Sequence, residues 1–115
     1  MDGRKFSIDS VVARRMDFRS IISGNHPVLI SFGATWCEPC KWLEPILAEI
    51  EQSFTGKLSV HKIDVDEEPA LKSEYHIFSV PTLLLFKNGN LLWRYQGFDT
   101  APKMKKIILE HLANE

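Results

Sequence analysis

Cysteine is scarce in this chain: two residues among 115, at positions 37 and 40. So low a number excludes a disulfide-stapled secreted scaffold. A domain of this length also buries roughly 65% of its unfolded surface and needs no staples. A charge excess of either sign is missing too. With 14 Lys and Arg against 15 Asp and Glu, the formal net charge is -1, which leaves no basic surplus to draw the chain to nucleic acid or anionic lipid. No apolar run reaches the length of a membrane span, and Arg4 and Lys5 are not followed by an apolar stretch of signal-peptide length. The chain is therefore expected to stay in the compartment where it is made, the cytoplasm. A Gly-rich dinucleotide loop is absent. No repeat, low-complexity tract or linker breaks the sequence, so residues 1–115 are expected to form one domain. What remains is an ordinary globular composition, 44% hydrophobic and 25% charged.

The apolar pattern alternates between two periods. Asp9 or Ser10 is suited to cap a first helix with apolar positions Val11, Val12, Met16, Ile21 and Ile22, ending near Gly24-Asn25. Pro27 then opens Val28-Leu29-Ile30-Ser31-Phe32, a short, mostly apolar run that reads as a strand buried on both faces. A helix follows to about Phe54, with Cys40, Leu43, Leu47, Ile50 and Phe54 on one face. Pro45 is expected to kink this helix without ending it, because the periodicity resumes beyond it. Leu58 to Val65 reads as a strand, Glu68 to Tyr75 as a short helix and Thr82 to Phe86 as a strand. Lys87-Asn88-Gly89-Asn90 reads as a hairpin turn, and Leu91 to Tyr95 as the returning strand. The last helix starts at Thr100, with Pro102 in its first turn, and is expected to bury Met104, Ile107, Ile108, His111 and Leu112. The order is α-β-α-β-α-β-β-α, with a small strand around Phe6 to Ile8 as an optional first element. Helices between strands call for parallel crossovers on both faces of the sheet, and the closing hairpin makes the sheet mixed. This is an α/β sandwich.

The two cysteines stand in Trp36-Cys37-Glu38-Pro39-Cys40, at the junction of strand and helix. A thiolate attacks a disulfide and a thiol does not, and an ordinary cysteine, with a pKa of roughly 8.5, is mostly protonated at neutral pH. Cys37 sits just ahead of the helix, where unpaired N–H groups and the helix dipole favour negative charge. It is expected to be the lower-pKa, more exposed nucleophile. Cys40, one turn in on the apolar stripe, is expected to be shielded and to act second, resolving a mixed disulfide on Cys37. A zinc site is the alternative use of C-x-x-C. It needs four ligands, and His26, His61, His76 and His111 are scattered with no second close pair.

Phe32 to Lys41, Val80-Pro81-Thr82 ahead of a strand, Pro45, Lys62, Asp66, Lys87-Asn88-Gly89 and Gly97 recur in the order found in the thioredoxin family, which the chain resembles over nearly its whole length. The resemblance implies a thioredoxin-like three-layer α/β/α sandwich with a central mixed β-sheet. It makes Cys37 the attacking cysteine, Cys40 the resolving one and Pro81 a cis-proline facing the sulfurs. Val80 would pair through its backbone with an extended substrate segment, on a docking surface formed with Trp36, Gly97 and Phe98. The family acts without a bound cofactor or metal, carrying electrons on a redox-active disulfide. Its implied partners are disulfide-containing protein substrates and a thioredoxin reductase-type flavoprotein drawing on NADPH. The chain is expected to work as a monomer.

Three departures from that pattern stand out. Ser31 takes the place of the family's buried aspartate and Gly33 that of a large aromatic. Strand alternation puts both on one face, and Trp42 is the side chain expected to fill the space. Glu44, one helical turn after Cys40, is the expected substitute base, paired with Lys62. Glu38 replaces the glycine common between the cysteines, and a carboxylate there biases the pair toward the disulfide, hence toward a reducing couple. A protein-disulfide reductase is the leading reading. A disulfide oxidase or isomerase of an oxidising compartment, and a binding module on the same fold, stand as alternatives.

Overall fold

The computed structural model describes residues 17–113. The small strand around Phe6 to Ile8 and the capped start of the first helix, through Met16, lie outside the described residues. Those described run α1 (17–22), β1 (Val28–Gly33), α2 (Glu38–Ser53), β2 (Ser59–Asp64), α3 (Pro69–Glu74), β3 (Thr82–Lys87), β4 (Asn90–Gln96) and α4 (Ala101–Ala113).

Strand alternation sorts the core into two layers. Val28, Ile30 and Phe32 of β1 join Leu84 and Phe86 of β3 on one face, covered by Phe18 and Ile22 of α1 and Leu71 of α3. Leu29, Leu83 and Leu85 point the other way, against Leu43, Leu47 and Ile50 of α2 and Met104 and Ile108 of α4. Helices on both sheet faces make the α/β/α sandwich. The α2 stripe buries Leu43, Leu47 and Ile50, and the helix continues across Pro45. On α4 the buried residues are Ala101, Met104 and Ile108. Ile107, His111 and Leu112, expected in the core, are half-buried. The His111 ring lies 5.8 Å from Trp93 of the edge strand β4, so this side of the helix hangs over the sheet's rim.

The sheet order is β2-β1-β3-β4. β1 pairs with β2 in parallel, Val28 opposite Ser59, whereas β3 runs antiparallel to β1, Phe32 opposite Thr82. The β2–α3–β3 connection is therefore not the parallel crossover that its helix suggested. The chain does not return to the far end of the sheet and enters β3 from the end at which β2 finished. This reversal sets Pro81, the residue before β3, at the same sheet end as Gly33, from which the cysteine segment departs. At the opposite end Asn88 (φ 56°) and Gly89 (φ 79°) form the β3–β4 turn, both with the positive φ that an Asn-Gly hairpin supplies. Their N–H groups donate to the carbonyls of Gly24 and Ile22, each at 2.9 Å.

Candidate active site

After Gly33 the chain makes a tight turn, closed by the Cys37 N–H donating to the Ala34 carbonyl at 3.2 Å. Cys37 ends the turn in extended conformation as N-cap of α2. Its sulfur occupies the place of the side-chain oxygen of an ordinary cap and accepts from the Cys40 N–H at 3.2 Å. Pro39, in the first helical turn, gives up only an N–H that the helix leaves unpaired there. Cys37 and Cys40 are joined in a disulfide, with Cα atoms 5.3 Å apart.

The Val80–Pro81 peptide bond is cis, and the Val80 carbonyl oxygen lies 3.7 Å from Cys37 Sγ. Pro81 is buried and Val80 half-buried. The Gly97 N–H donates to the Pro81 carbonyl at 2.8 Å, tying the end of β4 to the proline. Trp36 is 68% exposed, and its indole N–H donates to an Asp66 carboxylate oxygen at 2.8 Å. Cys37, Val80, Pro81 and Gly97 thus meet at one end of the sheet, with Trp36 beside them in sequence. Phe98 is half-buried and packs against the cluster around α2 and α4.

Taken as whole residues, the two cysteines reverse the exposure expected of them. Cys37 is 4% exposed, while Cys40 is half-buried and opens onto a cavity of about 260 Å³. The cause lies in β1. Ser31 and Gly33 both face α2, as alternation requires, and neither side chain reaches across to cover Cys40. A Cβ placed on Gly33 would stand 3.3 Å from Cys40 Sγ, so even alanine is a tight fit there. Trp42 does not fill the space. It is 59% exposed, since one residue back from the buried Leu43 turns a side chain about 100° off the core-facing stripe.

Glu44 and Lys62 both line this cavity, with Asp64 and Glu67. The expected ion pair between Glu44 and Lys62 is not formed; among the described residues no salt bridge joins them. Both residues are exposed. Glu38 is also at the surface, 3.7 Å from Lys41 Nζ, so its charge is partly answered by a neighbour one turn on. Among the described residues no group of three or more His, Cys, Asp and Glu is placed to hold a metal ion, and no helix is long and apolar enough to cross a membrane.

Two residues on or against the segment that leads to Pro81 were not singled out from sequence. Phe78, two residues before Val80, is 82% exposed. Arg94 of β4 donates to the carbonyls of Tyr75 (2.7 Å) and His76 (2.6 Å), clamping the segment that leads to Pro81. An arginine in a strand that leaves the site in the chain but returns beside it in space gives no local sequence signal. The aromatic close before Val80-Pro81 does.

The thioredoxin family model matches residues 9–110 of this chain. Thioredoxins of Staphylococcus aureus, strains Mu50 and MW2 among them, are 38% identical to it over 84 residues, covering 73% of this chain and 81% of theirs. A solved chain bearing on the thiol resolving mechanism in yeast mitochondrial 1-Cys peroxiredoxin via glutathione/thioredoxin systems superposes with a TM-score of 0.75 at 33% identity, over 83% of this chain and 88% of that one. The chain belongs to the thioredoxin family. It is a thiol–disulfide oxidoreductase, and its redox group is the Cys37–Cys40 disulfide.

Proposed function

We propose that the chain is a protein-disulfide reductase that works through a mixed disulfide on Cys37. The observation that carries this is the Cys40 N–H donating to Cys37 Sγ at the first turn of α2. In the reduced protein this donor and the positive end of the helix favour a thiolate at Cys37 over one at Cys40. The Cys37 thiolate attacks one sulfur of a substrate disulfide, forming a mixed disulfide and releasing the first substrate thiolate. Cys40 then gives up its proton and attacks Cys37 Sγ. The second substrate thiolate leaves, and the Cys37–Cys40 disulfide remains. Two electrons have passed to the substrate.

The substrate segment lies along Trp36, Val80, Pro81 and Gly97, with the Val80 backbone as its hydrogen-bonding partner. Glu44 takes the proton from Cys40 across the cavity that both residues line, and Lys62 on the facing strand lines the same cavity. With Gln at position 44, resolution of a trapped mixed disulfide should slow by roughly tenfold or more. Resolution at the parental rate removes Glu44 from the mechanism.

A flavoprotein reductase of the thioredoxin reductase type, drawing on NADPH, returns the electrons. The domain, residues 1–115, acts as a monomer in the cytoplasm, where thiols are held reduced. Insulin reduction tests the reading. Turnover with dithiothreitol, and again with a thioredoxin reductase and NADPH, is the expected result. A protein that stays folded and turns over with neither is a binding module.

A further inference from the structure

Phe78 is 82% exposed. At that value the ring itself stands in solvent, since the backbone supplies only a small share of a phenylalanine's surface. Single exposed apolar residues are ordinary on protein surfaces; two features set this one apart. The first is that its backbone is fixed on both sides. Before it, Ile77 is 1% exposed and its N–H donates to the Lys72 carbonyl at 2.9 Å, while Arg94 holds the Tyr75 and His76 carbonyls. After it, the Ser79 carbonyl accepts from Thr82 Oγ1 at 2.7 Å. The ring's aromatic neighbour is His76, with centroids 6.0 Å apart, and His76 is itself exposed.

The second feature is its distance from the redox pair. Two residues of chain span at most about 7 Å, and the Val80 carbonyl oxygen is 3.7 Å from Cys37 Sγ. The Phe78 Cα is therefore no more than about 13 Å from that sulfur. An ordinary protein interface covers about 800 Å² on each partner, a disc roughly 16 Å in radius. A protein that brings a disulfide to Cys37 thus covers a patch wide enough to include Phe78.

We infer that Phe78 selects among substrates, favouring disulfides in extended segments that carry a large apolar side chain near the reacting cysteine, on one side of it. The inference rests on Cys37 being the attacking sulfur and names the substrates of that reading more narrowly. At about 3.3 Å per residue, an extended segment reaches from Cys37 to Phe78 within about four positions. A ring on a fixed backbone loses little freedom when it is covered, so the apolar area it buries goes largely into binding.

The test uses nonapeptides with one central cysteine in a serine and glycine background, each capped as a disulfide with mercaptoethanol. A single phenylalanine is moved through the other positions. The reduced full chain acts on each peptide, and chromatography follows the free peptide thiol. The inference expects kcat/KM to rise roughly threefold to tenfold over the background peptide when the phenylalanine stands at one or two positions within four of the cysteine, on one side only. High salt should leave that gain intact, since no charge is involved. Phe78→Ser should bring the ratio of best to background peptide close to one, and Phe78→Leu should keep part of it. Urea unfolding of both variants should match the parental chain, because the ring is in solvent.

A gain that survives Phe78→Ser overturns the inference. So does a scan that is flat while the peptides are still reduced, and the reductase reading then stands. A second copy of the chain seated on Phe78 would give a parental dimer in sedimentation that Phe78→Ser dissociates, with a flat scan, and this also overturns it. If neither the peptides nor insulin are reduced, the reading falls and takes the inference with it.

Discussion

The indole N–H of Trp36 donates to the carboxylate of Asp66 at 2.8 Å, although Trp36 is 68% exposed. One charge-assisted bond thus holds the aromatic residue next to Cys37 against the loop after β2, leaving its ring face open to a partner. A free tryptophan has several rotamers to lose on binding, and this one has been restricted before the substrate arrives.

Removing that restraint should act on substrate binding rather than on sulfur chemistry. For Asp66→Ala we expect KM for insulin to rise about threefold to fivefold, the worth of one exposed charged hydrogen bond, with kcat near the parental value. Steady-state kinetics separate the two parameters. A fall in kcat at unchanged KM contradicts a positioning role for Asp66.

Arg94 acts at longer range. Its two guanidinium bonds, to the Tyr75 and His76 carbonyls, pin a turn in which His76 holds a φ of 54°. That turn feeds the segment ending at Pro81. Arg94→Ala should cost about 2 kcal/mol in urea unfolding, and Arg94→Lys should recover less than half, because an ammonium cannot serve both acceptors as a planar fork does. Full recovery by lysine shows that charge alone matters at this position.

Asp99 supplies the pH dependence. The Thr100 N–H first, and then Lys103, hold its carboxyl below the ordinary value of 3.8; the bonds measure 2.8 Å and 3.2 Å. A folded pKa below the unfolded one contributes stability that is present above the unfolded value and is lost as pH falls through the folded value. Parental protein and Asp99→Asn should therefore differ in denaturant midpoint at pH near neutrality, with the parental chain the more stable, and converge in strong acid, below the folded pKa of Asp99. A gap of constant size across the acid range contradicts this assignment.

The parts of the fold legible from sequence are those set by local period. Alternation from Val28 to Gly33 placed Ser31 and Gly33 on one face, and the Asn88-Gly89 pair announced the hairpin. The spacing from Leu43 to Ile50 gave the buried side of α2. What escaped depends on distance in space. The direction of β3 depends on the end of the sheet to which the connection between β2 and β3 delivers the chain, which a helical pattern alone does not reveal. Exposure at Cys40 depends on what β1 fails to place above it, and a missing side chain leaves no periodic trace. Trp42 was expected to close that gap. Helix geometry turns it outward. The Trp36–Asp66 and Arg94 bonds join segments far apart along the chain, and no spacing rule reaches them.

Whether Cys37 is the anionic sulfur is read most directly from alkylation of the freshly reduced protein. The iodoacetamide rate at position 37 is followed from pH 5 to pH 10 by peptide mass spectrometry. A sulfur held by the Cys40 N–H at the start of α2 should titrate with a midpoint at least one unit below the roughly 8.5 of a free cysteine, and should react ahead of Cys40 at neutral pH. A midpoint at the free-cysteine value, or Cys40 reacting first at neutral pH, contradicts it.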